Sequence, residues 1–211
     1  MNRGLFITFE GGEGSGKSSV IKKLIAELEG KFPLLLTREP GGTKISEEIR
    51  NIILDKENTD MDYKTEALLY CASRRQHLVE KVIPALEKNI SVISDRYLDS
   101  SLVYQGYARG IGIDDVLSIN MFAIENCIPD ITFLFCIKPE VGLNRIASSS
   151  REVNRLDLEK LDFHKKVHDG YMELAERFSD RIYKVDAEKP FEEVYEQVQK
   201  KMLEKLKEHY E

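Results

Sequence analysis

No stretch of this chain approaches the ~20 consecutive apolar residues that cross a bilayer, so a helical membrane protein is not expected. The N-terminus also lacks a basic region followed by an apolar one, so no secretory leader is expected. Cysteine is scarce: Cys71, Cys127 and Cys136 are the three in 211 residues, none in a CxxC pair and all in apolar contexts. That spacing offers neither a disulfide framework nor a thiolate metal site, and predicts reduced core residues in a cytoplasmic protein. Positive charge is in deficit, with 31 Lys and Arg against 37 Asp and Glu and a net charge of −6, which argues against a nucleic-acid partner. A small phosphorylated ligand stays open, because a few local arginines suffice to hold one. His164 and His168 stand one helical turn apart in HKKVH, but the glutamate of an HExxH metal motif is missing. The lysines beside them predict a solvated helix face. Internal repeats, low-complexity segments and linkers are absent too. Residues 1–211 are therefore expected to form a single domain, with 42% apolar residues to build its core.

Glycine, by contrast, is concentrated where a strand ends. In FITFEGGEGSGKSSVIKKL an apolar run stops at Gly11, Gly12, Gly14 and Gly16 and resumes as an amphipathic pattern from Val20. Gly11-x-x-x-x-Gly16-Lys17-Ser18 is the spacing of a phosphate-binding loop between a strand and a helix. Backbone N–H groups of Gly11, Gly12, Glu13, Gly14, Ser15 and Gly16 would curl round a phosphate at the helix start, where Lys17, Ser18 and Ser19 stand. Lys17 would reach the β- and γ-phosphates, and the Ser18 hydroxyl suits a Mg²⁺ ion.

Five short apolar runs, at 5–9, 34–37, 90–94, 131–137 and 181–185, read as buried strands. Helical patterns separate or follow them at 17–29, 44–55, 62–88, 114–126, 140–148, 158–177 and 190–208. Strand–helix alternation of this kind predicts an α/β fold: a five-stranded parallel sheet between two helical layers, with ligands beyond the carboxyl ends of the strands. Those ends carry charge. Asp95 follows the third run, where an aspartate organises a metal ion, and Arg96 beside it offers a bidentate fork for a phosphate. Arg38 and Glu39 follow the second run; Arg50 and Arg74 sit on the next two helices. A guanine-nucleotide switch is excluded by the lack of NKxD and DxxG motifs. A small kinase of phosphorylated metabolites needs what is present.

The polar stretch RIASSSREVNRLD, at 145–157, breaks the pattern. Its composition is compatible with a solvated surface loop and with a lid closing over bound phosphates.

FITFEGGEGSGKSS, TREPGGT, EEIRNIIL, TEALLYCASRRQH, SDRYLDSSLVYQGYARG and NRLDLEKLDFHKKVHDGY together resemble the bacterial thymidylate kinase family over residues 5 to 190. The resemblance implies a P-loop kinase fold with a short lid, transfer of the γ-phosphate of ATP to thymidine monophosphate (dTMP) with Mg²⁺, and a homodimer. It places Glu13 near the acceptor 3′-hydroxyl, and Arg38 and Arg96 on the acceptor phosphate. A cis Glu39–Pro40 bond would turn Arg38 inward. Tyr70 would stack on thymine where the family commonly has phenylalanine, Arg74 would meet a base carbonyl, and Ser101 and Gln105 would line the base edge. Tyr104 would press on the sugar where a ribose carries its 2′-hydroxyl. Arg145 and the Asp186-Ala187 turn would flank adenine. Some members carry an arginine inside the loop, where this chain has Glu13. The missing cation is expected from the lid, from Arg155 first and Arg151 second.

Overall fold

In the computed structural model, which describes residues 3–148 and 155–211, five strands form one parallel sheet. They are β1 (Phe6–Gly11), β2 (Leu34–Arg38), β3 (Ser91–Asp95), β4 (Ile131–Cys136) and β5 (Ile182–Asp186), in the order β2-β3-β1-β4-β5. The five expected strands are all present, each within about a residue or two of its sequence limits. Alternation along them feeds two cores. Phe6, Val92 and Leu134 face one cluster; Ile7, Phe9, Ile93, Phe133 and Phe135 face the other. That period of two on buried strands is what a sheet covered on both faces requires.

Two helices cover one face. α1 (Lys17–Leu28) buries Val20, Ile21, Leu24 and Leu28, and α9 (Phe191–Tyr210) buries Val194, Val198, Met202 and Leu206. Each such side chain contributes about 1.5–3 kcal/mol by leaving water. The opposite face is covered by α3 (Tyr63–His77), α6 (Ile113–Ile124) and α8 (Leu161–Arg177), among others.

The segment expected as one helix over 62–88 is broken. α3 passes through a π-helical turn (Leu78–Val82) into α4 (Ile83–Glu87), whose first turn holds Pro84. Proline has no N–H to donate to the ladder, and the helix re-registers just before it. A helical segment not expected from the sequence follows β3: α5 (Leu98–Ser101) continues as a π-helix over Leu102–Ala108. Gly106 sits there because a side chain would come within 3.0 Å of the Ile113 Cα. The remaining helices are α2 (Lys44–Leu54) and α7 (Pro139–Ala147). A short 3₁₀ turn, Arg155–Leu158, resumes the chain before α8.

The expectation for HKKVH is corrected. His164 is 5% exposed, because it falls on the stripe of α8 that buries Phe163, Val167, Tyr171 and Leu174; the intervening lysines face water and His168 is half-buried. Among the described residues no three His, Cys, Asp or Glu side chains group as a metal site. All three cysteines are free.

Candidate active site

The strand order places the carboxyl ends of β1 and β3 side by side, with Phe9 opposite Asp95. The loop leaving β1 and the loop leaving β3 therefore meet in one crevice, where an open α/β sheet binds its ligands. A cavity of about 590 Å³ opens there, bounded by Glu13–Ser19, Arg38–Pro40 and Asp95–Tyr97. α2 and α3 add Arg50, Tyr70 and Arg74; α5 and its π-helical extension add Ser101, Tyr104 and Gln105; α7 adds Arg145.

The glycine loop folds back on its own lysine. Lys17 Nζ donates to the carbonyls of Gly11 (3.0 Å) and Gly12 (3.3 Å) and to Ser15 Oγ (3.1 Å). Burial and the Arg96 charge push its pKa down to about 8, against the pull of Asp95, Glu13 and Glu10. The loop also touches α7 backbone to backbone. Gly14, at φ +68, leaves no room for a Cβ, which would lie 2.1 Å from the Gly142 carbonyl oxygen; a Cβ on Gly142 would lie 2.2 Å from the Glu13 carbonyl oxygen. At the start of α1, Ser18 Oγ donates to Asp95 Oδ2 at 2.8 Å.

Arg96 occupies the junction. Its backbone is left-handed (φ 69), and its N–H is tied to the Phe9 carbonyl at 2.9 Å. Its guanidinium donates to Glu13 Oε1 at 2.5 Å and to the Gly11 carbonyl at 3.2 Å, and lies 5.2 Å from the centre of the Tyr104 ring. Burial opposes its charge, but the surrounding Tyr104, Glu13, Tyr171 and Glu10 groups hold its pKa well above the ordinary value. Tyr104 Oη donates to Glu13 at 3.2 Å, so ring, carboxylate and guanidinium form one unit.

Behind that unit lies Glu10, a carboxyl that the sequence reading passed over. It is fully buried and accepts from the N–H of Tyr97 (2.7 Å), Ser100 Oγ (2.5 Å) and Tyr171 Oη (2.9 Å). Burial and the Asp99 charge push its pKa up to about 7, against Arg96 and the hydrogen bonds. Its signal was the single charge closing the apolar run FITFE.

The Glu39–Pro40 bond is cis, as expected. Arg38 and Arg50 both donate to the Pro40 carbonyl, at 3.0 and 2.8 Å, and Arg38 also pairs with Glu47. Burial and the Arg38 charge lower the Arg50 pKa. Glu39 turns the other way, to Arg74 (2.7 Å) and His77 (2.9 Å), and His77 reaches Thr37 Oγ1 at 2.7 Å. Arg74 is 2% exposed, with further bonds to Ser101 Oγ (3.1 Å), Asn120 and the Tyr97 carbonyl (2.9 Å). Burial raises the pKa of Tyr70, keeping its phenol neutral against the cavity.

Five expected residues lie outside the cavity lining: Gly11 and Gly12 close the loop through their carbonyls on Lys17, and three others stand apart. Arg155 is not among the residues lining the cavity: its guanidinium is bonded to Glu66 Oε2 and to the Ile53 carbonyl, so the carboxylate of α3 holds it away from the phosphate loop. Asp186 caps its own turn by accepting from Glu188 N–H, and it lines a separate depression beside Lys138. Ala187 is buried and meets the crevice only through its carbonyl, which accepts from Arg145 at 3.0 Å. Arg151 lies outside the described residues. Glu66 was missed as well; it precedes Tyr70 and Arg74 at four-residue steps, and that shared helix face was the available signal.

A parallel sheet in this order, a glycine loop with an inward lysine, and an arginine-lined crevice beside it define a P-loop nucleotide kinase. A family model described as thymidylate kinase matches residues 9–198. A thymidylate kinase of Clostridium novyi (strain NT) is 58% identical over 200 residues, covering 94% of this chain and 98% of the relative. One from Bacillus cereus (strain Q1) is 55% identical over 206 residues, covering 97% and 99%. The crystal structure of thymidylate kinase from Ehrlichia chaffeensis superposes with a TM-score of 0.76 at 30% identity, covering 95% of this chain and 99% of that one. The chain belongs to the thymidylate kinase family.

Proposed function

We propose that this chain, as one kinase domain, transfers the γ-phosphoryl group of ATP to thymidine monophosphate, giving the diphosphate and ADP on the route to dTTP. One observation carries the reading: the phosphate loop and the wall of Tyr70, Arg74, Ser101 and Gln105 share a single cavity, with Arg96 between them. The loop amides and Lys17 hold the donor phosphates. Arg96 and Arg38 hold the acceptor phosphate, Tyr70 stacks on the base, and Arg74 and Gln105 meet its edge. Tyr104 and Glu13 pack on the sugar, and Arg145 flanks adenine. No general base is required, because phosphoryl transfer responds mainly to alignment and to positive charge on the equatorial oxygens.

Ser18 and Asp95 fit Mg²⁺: both offer oxygen, the donor that a hard cation takes, and they already converge at 2.8 Å. When bound, Mg²⁺ neutralises charge developing on the phosphate oxygens. Until then, Asp95 holds the Ser18 hydroxyl in place.

A homodimer is supported by apolar surface on neighbouring helices. Phe122 of α6 is 88% exposed and Leu68 of α3 58%, with Val79 on the same stripe, and Arg75 ties the two helices through the Ala123 carbonyl. A monomer in sedimentation would overturn this part. No helix among the described residues is long and apolar enough to cross a membrane. A cytoplasmic setting is part of the proposal, in line with the three free thiols.

The test is coupled ADP release with the thymidine, cytidine, guanosine and adenosine monophosphates. Thymidine monophosphate is expected to lead in kcat/KM by orders of magnitude, because a site that hydrogen-bonds a base edge rejects the wrong edge. Equal rates across bases would remove the assignment.

A further inference from the structure

Glu66 sits under the base wall without touching the cavity. It is fully buried on α3, and three donors converge on its carboxylate. Arg155 donates to Oε2, Arg109 approaches Oε2 at 3.4 Å, and Gln105 Nε2 donates to Oε1 at 2.8 Å. Burial favours the neutral acid, but the Arg155 hydrogen bond and the Arg109 charge outweigh it and hold the group below the ordinary carboxylate pKa. An ionised carboxylate can only accept hydrogen bonds. The nitrogen end of the Gln105 amide must therefore face Glu66, and its oxygen end must face the other way. Gln105 lines the cavity, and among the described residues no donor is bonded to its Oε1.

The neighbouring group has the opposite polarity. Arg74 can only donate, and Glu39, Ser101, Asn120 and the Tyr97 carbonyl fix its plane. The wall thus presents a donor, Arg74, and an acceptor, Gln105 Oε1. Thymine and uracil present the complement: a carbonyl oxygen at position 4 beside an N–H at position 3. Cytosine presents the reverse at both positions.

We propose that Glu66 is a positioning residue that sets the polarity of Gln105 and so makes the site select pyrimidines carrying N–H at position 3. This rests on the reading above that Gln105 lies on the base edge. It assigns discrimination to a side chain that touches no nucleotide.

Glu66→Gln tests it. The two arginines would draw the new carbonyl oxygen toward themselves, leaving an NH₂ against Gln105. The Gln105 amide must then turn over and present its own NH₂ to the base. The readout is kcat/KM for thymidine monophosphate relative to 5-methyldeoxycytidine monophosphate, which differs from it only along the position 3–4 edge. The ratio is expected to fall by at least about tenfold in Glu66→Gln, whereas simple loss of structure would lower both substrates together. Gln105→Leu supplies the control: it should also lower the ratio, and adding Glu66→Gln to it should change the ratio no further. An unchanged ratio in Glu66→Gln, with a reduced one in Gln105→Leu, would overturn the role of Glu66 and leave the base edge intact. An unchanged ratio in Gln105→Leu would overturn the reading beneath it. If Glu66→Gln does not fold, side-chain amide NMR of the unmodified enzyme decides. The Gln105 amide protons should show contacts to Glu66, and not to the pyrimidine, when thymidine monophosphate is bound; the opposite pattern overturns the proposal.

Discussion

The two ends of the cavity are built on different principles. At the end proposed to take the acceptor, buried side chains have their hydrogen bonds taken up by other buried side chains: Arg74 by Glu39, Glu39 by His77, His77 by Thr37. The end proposed to take the donor is backbone at a helix start, with Gly16, Ser18 and Ser19 exposed and one buried ammonium beneath them. A base edge must be told from similar edges, which takes donors and acceptors at fixed positions. A triphosphate need only be held and its charge met, which main-chain N–H groups and a lysine do. Removing a side chain should therefore damage both fold and specificity at the acceptor end, and only turnover at the donor end.

Arg74→Leu should break the acceptor end most severely. It leaves the Glu39 carboxylate buried beside His77 without its main counter-charge, a change that typically costs about 3–5 kcal/mol. Urea unfolding should register that loss, together with a raised KM for thymidine monophosphate; an unchanged midpoint would refute the structural half of the contrast. Lys17→Ala should do the reverse. Removal of one preorganised cation from the transferring group is expected to lower kcat by about 10²–10³-fold, with unfolding and thymidine monophosphate binding close to normal. A large stability loss there would erase the distinction between the two ends.

Arg155→Ala discriminates more finely. With its guanidinium engaged by Glu66, it is expected to change kcat by less than about tenfold. A fall of ~10²-fold or more would mean that Arg155 leaves Glu66 during turnover and supplies the cation missing from the loop. The smallest effect concerns Glu10, which lies between the two ends. Its folded pKa, near 7, is above the usual carboxyl value of 4.5, so in that window the folded state holds a proton that the unfolded state has released. Its contribution to stability is complete below about pH 4.5 and is lost as pH rises through about 7. The Tm of the native enzyme minus that of Glu10→Gln should therefore fall across that interval and level off above it. A difference that rises with pH would show that Glu10 is ionised in the folded state.

The elements legible in the sequence were those that repeat or punctuate. Five apolar runs and the glycine loop mark strands, strand order reconciles them into a crevice, and most residues at strand ends line it. What stayed hidden was burial of charge at a distance. Nothing local to Glu66 tells that Arg155, 89 residues away, closes on it, and nothing near Glu10 tells that Tyr171 lies against it. His164 was misread for the same reason. Its neighbours Lys165 and Lys166 point outward while the histidine follows the buried stripe. The π-helical turn before Pro84 is a smaller case: proline marks a discontinuity but does not dictate how the preceding turn absorbs it.

The meeting of Gly14 with Gly142 bears on how such an enzyme can be altered. Two segments separated by more than a hundred positions in the chain share a joint with no side chains in it, so neither can be exchanged as an independent cassette. A donor loop transplanted from another nucleotide kinase would need its own α7 to travel with it, and a methyl group added to either glycine would force the two backbones apart. Because α7 also carries Arg145, whose guanidinium reaches Ala187, that displacement would carry to the loop after β5. The spacing between the glycine loop and α7 is thus set by main-chain contact, and, on the proposed function, an attempt to widen donor choice has to begin at that joint.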